Sequence, residues 1–307
     1  MNILVINGSP KGEKSNTLKL VNAFIDGINN AGNHSIEIIT VSQKNIEPCR
    51  GCFCCWEKTP GKCIIADDMS GILDKYINAD LIIWSFPLYY YSIPSKTKAL
   101  IDRLLPTNLP DIIAHADGSA GHPRRYNLQN QRNILISTCG LFTVQNNYEA
   151  LIKQFEIMSG GRFANIVCPE GELFRVPQVE ERTNEYLSYV VRAGEEYIKR
   201  GSFSDDTQKK LDEPLYPPEQ FMEMANLSWA KGGVTQEIKD EAYRLLRQMS
   251  ALYKPHGQDK EITLEFYFTD LEKTYQLVLG KTKCTFKAEN FLPCTARIET
   301  SFEVWAA

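Results

Sequence analysis

The first seventeen residues constrain this chain more than any other stretch. Asn2-Ile3-Leu4-Val5-Ile6-Asn7 is a nearly continuous apolar run, closed by Gly8-Ser9-Pro10-Lys11-Gly12 and followed by Ser15-Asn16-Thr17, where a helical pattern opens. A short apolar run bounded by turn residues reads as a strand buried on both faces, so the segment is strand, phosphate-sized loop and helix.

Such a loop sets backbone N–H groups and hydroxyls beside the positive end of the following helix, an arrangement that suits one phosphate. An ordinary strand-to-helix turn with a Ser or Thr cap uses the same residues, so the loop by itself leaves both readings open. Neither G-x-G-x-x-G nor G-x-x-x-x-G-K-[ST] is present. A dinucleotide fingerprint and a nucleoside-triphosphate loop are therefore disfavoured. The better match is a flavodoxin-like cradle for a monophosphate, with FMN the first ligand to consider.

At 307 residues with 10% aromatics, the chain can bury a sizeable core, and two domains are expected. A formal charge of -4 and a pI near 5.7 argue against nucleic acid or a membrane surface as partner. The sequence enters a core strand at once, and no apolar run approaches the ~18 residues of a spanning helix, so a cytoplasmic protein is expected. Five of the nine cysteines, Cys49, Cys52, Cys54, Cys55 and Cys63, crowd into fifteen positions. In a cytoplasmic chain that density points to thiol or metal chemistry.

Leu18, Val21, Phe24, Ile25 and Ile28 recur at helical spacing, and Ile36 to Val41 reads as the second strand. After the cysteine-rich loop, Asp67-Asp68 precedes a helix marked by Met69, Ile72, Leu73 and Tyr76, and residues 80–85 form the third strand. Residues 106–131, with His115, His122 and Arg124-Arg125, read as an insertion or lid, and 133–138 and 163–168 supply the fourth and fifth strands. Alternating strands and helices with short connections predict a doubly wound parallel five-stranded α/β sheet in the order 2-1-3-4-5. Its switch point brings the loops after Ile6, Trp84 and Thr138 into one crevice.

The expected division is a flavodoxin-like domain over 1–200, a linker with docking helices over 201–260, including an amphipathic helix at 234–253, and a small antiparallel sheet module over 261–307. In the crevice, Pro87, Leu88, Tyr89 and Tyr90 could wall a flat ring, or serve as ordinary core after a strand. Cys139-Gly140 could place N–H groups near the same ring, or hold an inert buried thiol. Cys49-x2-Cys52-x2-Cys55-x7-Cys63 has spacing that a [4Fe-4S] cluster can use, while a cluster-free thiol loop and a zinc site stay open. Asp67-Asp68 suits helix capping and loop anchoring.

Together, residues 3–10 with Ser15-Asn16-Thr17, Cys49-Arg50-Gly51-Cys52 to Asp67-Asp68-Met69, Pro87-Leu88-Tyr89 and Ile101-Asp102-Arg103 resemble the NAD(P)H-dependent FMN reductases and iron-sulfur flavoproteins over roughly residues 1–200. The resemblance implies a flavodoxin-like fold, bound FMN, NAD(P)H as co-substrate and a homodimer or dimer of dimers. By position it assigns Ser9, Lys11, Ser15, Asn16 and Thr17 to the phosphate, and Pro87, Leu88, Tyr89 and Tyr90 to the ring. It implies an oxidoreductase that passes electrons to a small-molecule or protein acceptor, or an FMN plus [4Fe-4S] electron carrier with little nicotinamide turnover. No side-chain general base is required, because the flavin carries the chemistry. Residues 262–307 resemble the opening strands of a sterol-carrier-type lipid-binding domain. Such a domain needs more chain to enclose a ligand, so lipid binding is not expected.

Overall fold

Five parallel strands form the central sheet in the computed structural model, which describes residues 1–229, 241–255 and 260–306. They are β1 (Asn2–Asn7), β2 (Ser35–Thr40), β3 (Leu81–Pro87), β4 (Arg132–Thr138) and β5 (Phe163–Cys168). Their order is β2-β1-β3-β4-β5, and every neighbouring pair is parallel, as the alternation of elements predicts. The apolar run of β1 is buried from Ile3 to Ile6 because helices cover both faces of the sheet.

Helices α1 (Asn16–Asn30) and α5 (Glu180–Arg200) pack together on one face. On the other, α2 (Met69–Asn78), α3 (Ser95–Asp102) and α4 (Glu149–Ser159) share one hydrophobic cluster with Leu4, Ile6, Ile82, Trp84, Phe86 and Leu135. The insertion after α3 carries a short two-stranded ribbon, Ile113–Ala114 against Ala120–Gly121.

The chain falls into two compact units, Met1–Leu215 and Tyr216–Ala307. Helix α6 (Asp205–Asp212) belongs to the first. The second holds α7 (Pro218–Trp229), α8 (Glu241–Ala251), a sheet and α9 (Phe302–Ala306). The sheet order is β8 (Cys284–Lys287), β7 (Lys273–Leu279), β6 (Ile262–Phe268) and β9 (Ala296–Thr300); the first three are antiparallel and β9 runs parallel to β6. Ala242 and Leu246 of α8 pack with Phe266, Phe268, Tyr275 and Leu277 of that sheet. The amphipathic helix expected from 234 is seen as Glu241–Ala251, and residues 234–240 lie outside the described ones.

Two glycines set the approach of α1 to α5. A Cβ on Gly27 would lie 1.8 Å from the Val191 carbonyl oxygen, and one on Gly194 would lie 2.2 Å from that of Phe24. Backbone cannot step aside as a side chain can, so Gly27→Ala should destabilise the fold by about 1–3 kcal/mol or more, read as a lower urea midpoint. The contrast is Gly71→Ala on α2, where a Cβ meets nothing within 4 Å. Removing the entropic cost of a helical glycine there should stabilise by about 0.5–1 kcal/mol.

The end of α5 is tied to α6 through Glu196. Its carboxylate accepts from Ser204 N (2.6 Å), Ser204 Oγ (2.9 Å) and Thr207 Oγ1 (3.1 Å) and pairs with Arg192 and Arg200. Burial pushes this carboxyl up, but the donors outweigh it and hold it down at about 2, against an ordinary 4.5. A folded pKa below the unfolded one contributes stability that is present above pH 4.5 and lost as pH falls toward 2. Thermal unfolding at pH 6 and pH 3 should show a smaller acid-induced drop for Glu196→Gln than for the parent chain.

Candidate functional site

Hydrogen bonds stitch together the loops at the carboxyl ends of four strands. Gly8 N donates to Ser85 O (2.7 Å) and Leu88 N to Thr138 O (2.9 Å), joining the loops of β1, β3 and β4. Gly171 N donates to Cys139 O (2.7 Å), and Asn16 Nδ2 donates to Gly171 O (2.7 Å), which brings in the turn after β5. Thr17 and Thr138 share a hydroxyl bond of 2.6 Å. Thr97 of α3 donates to Gly8 O at 3.1 Å, and a Cβ at Gly8 would meet its Oγ1 at 2.1 Å. Only glycine lets the loop lie so close to α3.

Within the first loop, Asn7 Nδ2 donates to Gly12 O, Ser9 N to Asn7 Oδ1, and Lys11 N to Ser9 Oγ. The backbone shape is thereby held by its own side chains. Ser15 stands at the amino cap of α1 with no side-chain capping bond, so its hydroxyl is not spent on the helix. Ser9 and Ser15 are both buried, and Ser15 adjoins the first-turn N–H groups of α1, which have no intrahelical acceptor. The side chains of Asn16 and Thr17 brace Gly171 and Thr138. Lys11 is half exposed, with Nζ 3.6 Å from Glu172.

Pro87 and Leu88 are half-buried at the end of β3, whereas Tyr89 is 44% exposed and Tyr90 97%. The turn that holds them closes with paired bonds between Tyr89 and Ser92, and Tyr90 and Tyr91 take left-handed φ values of +48° and +61°. That conformation costs a bulky residue energy, and here it presents the two rings outward. Cys139 is buried, and burial pushes its thiol up, while Gly140 is exposed with open space above it.

The turn at 170–175 is a part of this crevice that the sequence reading missed. Glu170 has φ +58°, Arg175 Nε donates to Asn16 Oδ1 (3.0 Å), and Lys19 Nζ donates to Phe174 O (2.5 Å). Pro169-Glu170-Gly171 signals a turn, but nothing in it names a partner about 155 residues away.

Cys49, Cys52, Cys55 and Cys63 line one small pocket, with the apolar Phe53, Ile64, Ile65 and Leu105 and the cations Arg50 and Arg103 around them; Cys54 is not part of the lining. Burial, then the neighbouring Cys63, Cys49 and Cys52, pushes the Cys55 thiol up. The backbone and then the thiol of Cys54 hydrogen-bond to Cys52 and lower it. Among the described residues no three His, Cys, Asp or Glu side chains are gathered to hold a single metal ion.

The loop is anchored by Asp67 and Asp68. Asp67 accepts from Glu47 N (2.8 Å) and Met69 N (3.0 Å) and makes a two-pronged pair with Arg103 at 2.9 and 3.0 Å. Both side chains are buried, and Arg103 Nη1 also donates to Glu47 O at 2.7 Å. Burial penalises the Arg103 charge, yet Asp67 and Cys63 raise its pKa further. Asp68 accepts from Asn45 N at 2.7 Å. His122 packs at a tilt against Trp56, whose indole donates to Asn108 O. Arg124 and Arg125 line a cavity with Asn133, at the amino end of β4 and away from the crevice.

The sheet order and the joined loops define a flavodoxin-like protein with a candidate phosphate loop and a ring wall at the switch point. The family description "NADPH-dependent FMN reductase" matches residues 1–155, just over half of the chain, and the chain belongs to that family. An iron-sulfur flavoprotein of Methanocaldococcus jannaschii is 38% identical over 109 residues, which is 36% of this chain and 54% of the relative. One from Archaeoglobus fulgidus is 37% identical over 103 residues, 34% of this chain and 48% of the relative. The chain thus spans about half the length of the curated relatives it matches. The solved FMN-dependent NADH-azoreductase of Bacillus anthracis superposes with a TM-score of 0.47 at 19% identity, over 66% of this chain and 99% of that one.

Arg103→Gln would leave the Asp67 carboxylate buried without its counter-charge, a loss on the order of 3–5 kcal/mol for a buried pair. Because that pair fixes both ends of the cysteine loop, the buried Cys55 should then react with a neutral thiol reagent several times faster at a temperature where the sheet is still folded.

Proposed function

We propose that the protein is an FMN-dependent oxidoreductase that takes hydride from NADH or NADPH and passes electrons to a small-molecule or protein acceptor. The single observation that carries this reading is the joining of the β1, β3, β4 and β5 loops over one crevice, with the Ser15 hydroxyl at its helix end not spent on capping and the Ser9 hydroxyl, which accepts from Lys11 N, still able to donate. Family membership supports the choice of flavin and nicotinamide.

FMN, when bound, supplies hydride acceptance and one- or two-electron release. The residues of this chain have other duties. Ser9, Ser15 and the first N–H groups of α1 bind the phosphate, where the helix dipole and short polar donors favour negative charge. Lys11 adds a half-exposed positive charge at the rim, a smaller effect in solvent. Asn16 and Thr17 act as positioning residues that fix the loop against Gly171 and Thr138. Pro87, Leu88, Tyr89 and Tyr90 form the wall for the ring, and the Cys139-Gly140 turn leaves open backbone facing the same crevice. A homodimer is part of this reading: Tyr90, Leu141 and Phe142 are exposed around the site, and a second copy would shield them from water.

The cysteine pocket favours a second reading, FMN together with a [4Fe-4S] cluster in an electron-transfer flavoprotein. Four thiols lie around one small, largely apolar pocket whose lining also includes Asp102, and their spacing along the chain is one that a cluster can use. Arg50 and Arg103 would offset the negative charge of four thiolates.

Protein purified without oxygen should carry a flavin band that NADPH bleaches; a colourless protein unable to take up FMN would refute the primary reading. Ser15→Ala should weaken FMN binding by about tenfold, the value of one hydrogen bond to a charged group, and Lys11→Ala by less. Iron and acid-labile sulfide analysis decides the second reading. Cys55→Ser should lose iron and keep FMN, and absence of iron from the parent protein would remove the cluster.

A further inference from the structure

The insertion after α3 returns to the sheet at its amino edge, and there it helps to enclose a cavity of about 480 Å³. That is within the range of small-molecule sites, about 300–1,000 Å³. Arg124, Arg125 and Arg162 line it, and no carboxylate does. Asn133 is five residues before Thr138 on β4, so the cavity is about 16 Å along the strand from the crevice described above.

Two largely buried residues turn polar atoms toward this cavity with bonding capacity unspent. Tyr76 is 6% exposed and lines the cavity, and its hydroxyl has no hydrogen-bond partner among the described residues. Burial pushes that hydroxyl up, against the pull of Arg124, so it is a neutral donor near pH 7. Asn133, 8% exposed, gives Oδ1 to Trp84 Nε1 at 3.1 Å, which leaves its amide NH₂ free to donate. Neither atom is among the sealed, unpaired polar atoms of the described residues, so both open to the cavity, where a ligand oxygen can accept from them.

The arginines are set for an anion. Arg124 is held by Asn108 Oδ1 (3.1 Å) and by Met158 O (2.7 Å), the second bond also offsetting the negative carboxyl end of α4. Arg125 is held through Nε by Pro106 O at 3.1 Å, leaving its two terminal nitrogens. Arg162 has no ion-pair or hydrogen-bond partner for its guanidinium among the described residues. Guanidinium forks match phosphate oxygens two at a time, and three of them without an acid suit a dianion.

We infer that this cavity is a second ligand site, one that binds the phosphate group of a small phosphate ester, with Tyr76 and Asn133 on the polar body that carries it. The test uses FMN-saturated full-length protein, so that the β1 loop is filled, titrated calorimetrically with ribose 5-phosphate and, separately, with inorganic phosphate. Saturable binding of the ester is expected, weakened about tenfold in Arg162→Ala, an exposed residue whose loss should not disturb folding. Tyr76→Phe should weaken the ester and leave inorganic phosphate unchanged. No saturable binding of either probe, or binding that Arg162→Ala leaves unaltered, would overturn the site. Binding that is lost in Ser15→Ala instead would place the ligand at the β1 loop and equally overturn it. Equal affinity for both probes, with no effect of Tyr76→Phe, would overturn the assignment to an ester.

Discussion

The buried pair between Asp67 and Arg103 is the interaction on which both candidate sites depend. Arg103 follows directly on α3, whose Thr97 clamps Gly8 of the phosphate loop. Asp67 holds the amide of Met69 at the start of α2 and that of Glu47 at the entry to the cysteine loop. One helix therefore carries the phosphate loop at its amino end and the thiol loop at its carboxyl end. A buried ion pair is weak evidence for net stability, because desolvation consumes most of its attraction. Its value here is geometric: two prongs and two backbone bonds allow only one placement of a loop that has little regular structure of its own.

The crevice follows a similar economy. Side chains that look like ligands for a phosphate, Asn16 and Thr17, are bonded to Gly171 and Thr138 and hold loops together, whereas Ser15 makes no side-chain capping bond. A binding crevice built from loops needs rigid walls more than many contacts, because each loose loop would have to be ordered on binding. The outward Tyr90 is the exception, 97% exposed and held in a left-handed turn that costs energy, its ring meeting that of Tyr91 edge-on.

The two units differ in how they achieve a core. The first buries strands on both sides, with Trp84, Phe86 and Phe155 in contact beneath α4. The second packs Tyr243 edge to face on Tyr275 and Phe286, and Phe268 edge to face on Phe302, around a four-stranded sheet. Aromatic pairs supply much apolar area per residue, which suits a unit of fewer than a hundred residues.

The sequence by itself determined the parallel sheet, its strand order and the meeting of the first, third and fourth loops. Periodicity and short connections are local signals, and the right-handed crossover leaves few alternatives. It also marked the four cysteines and the anchoring role of Asp67-Asp68, since spacing and acid-before-helix are read along the chain. The partners of those residues were decided only by tertiary structure. Asn16 and Thr17 read as phosphate ligands because a side chain's donor is visible in sequence and its acceptor is not; Gly171 and Thr138 lie 155 and 121 residues away. Arg103 was visible as a motif residue, but its pairing with Asp67 needed the fold. Arg124 and Arg125 read as part of an insertion or lid, and the fold alone decided which end of the sheet they occupy. Contacts of such long range depend on how whole elements pack, and no window of neighbouring residues encodes that.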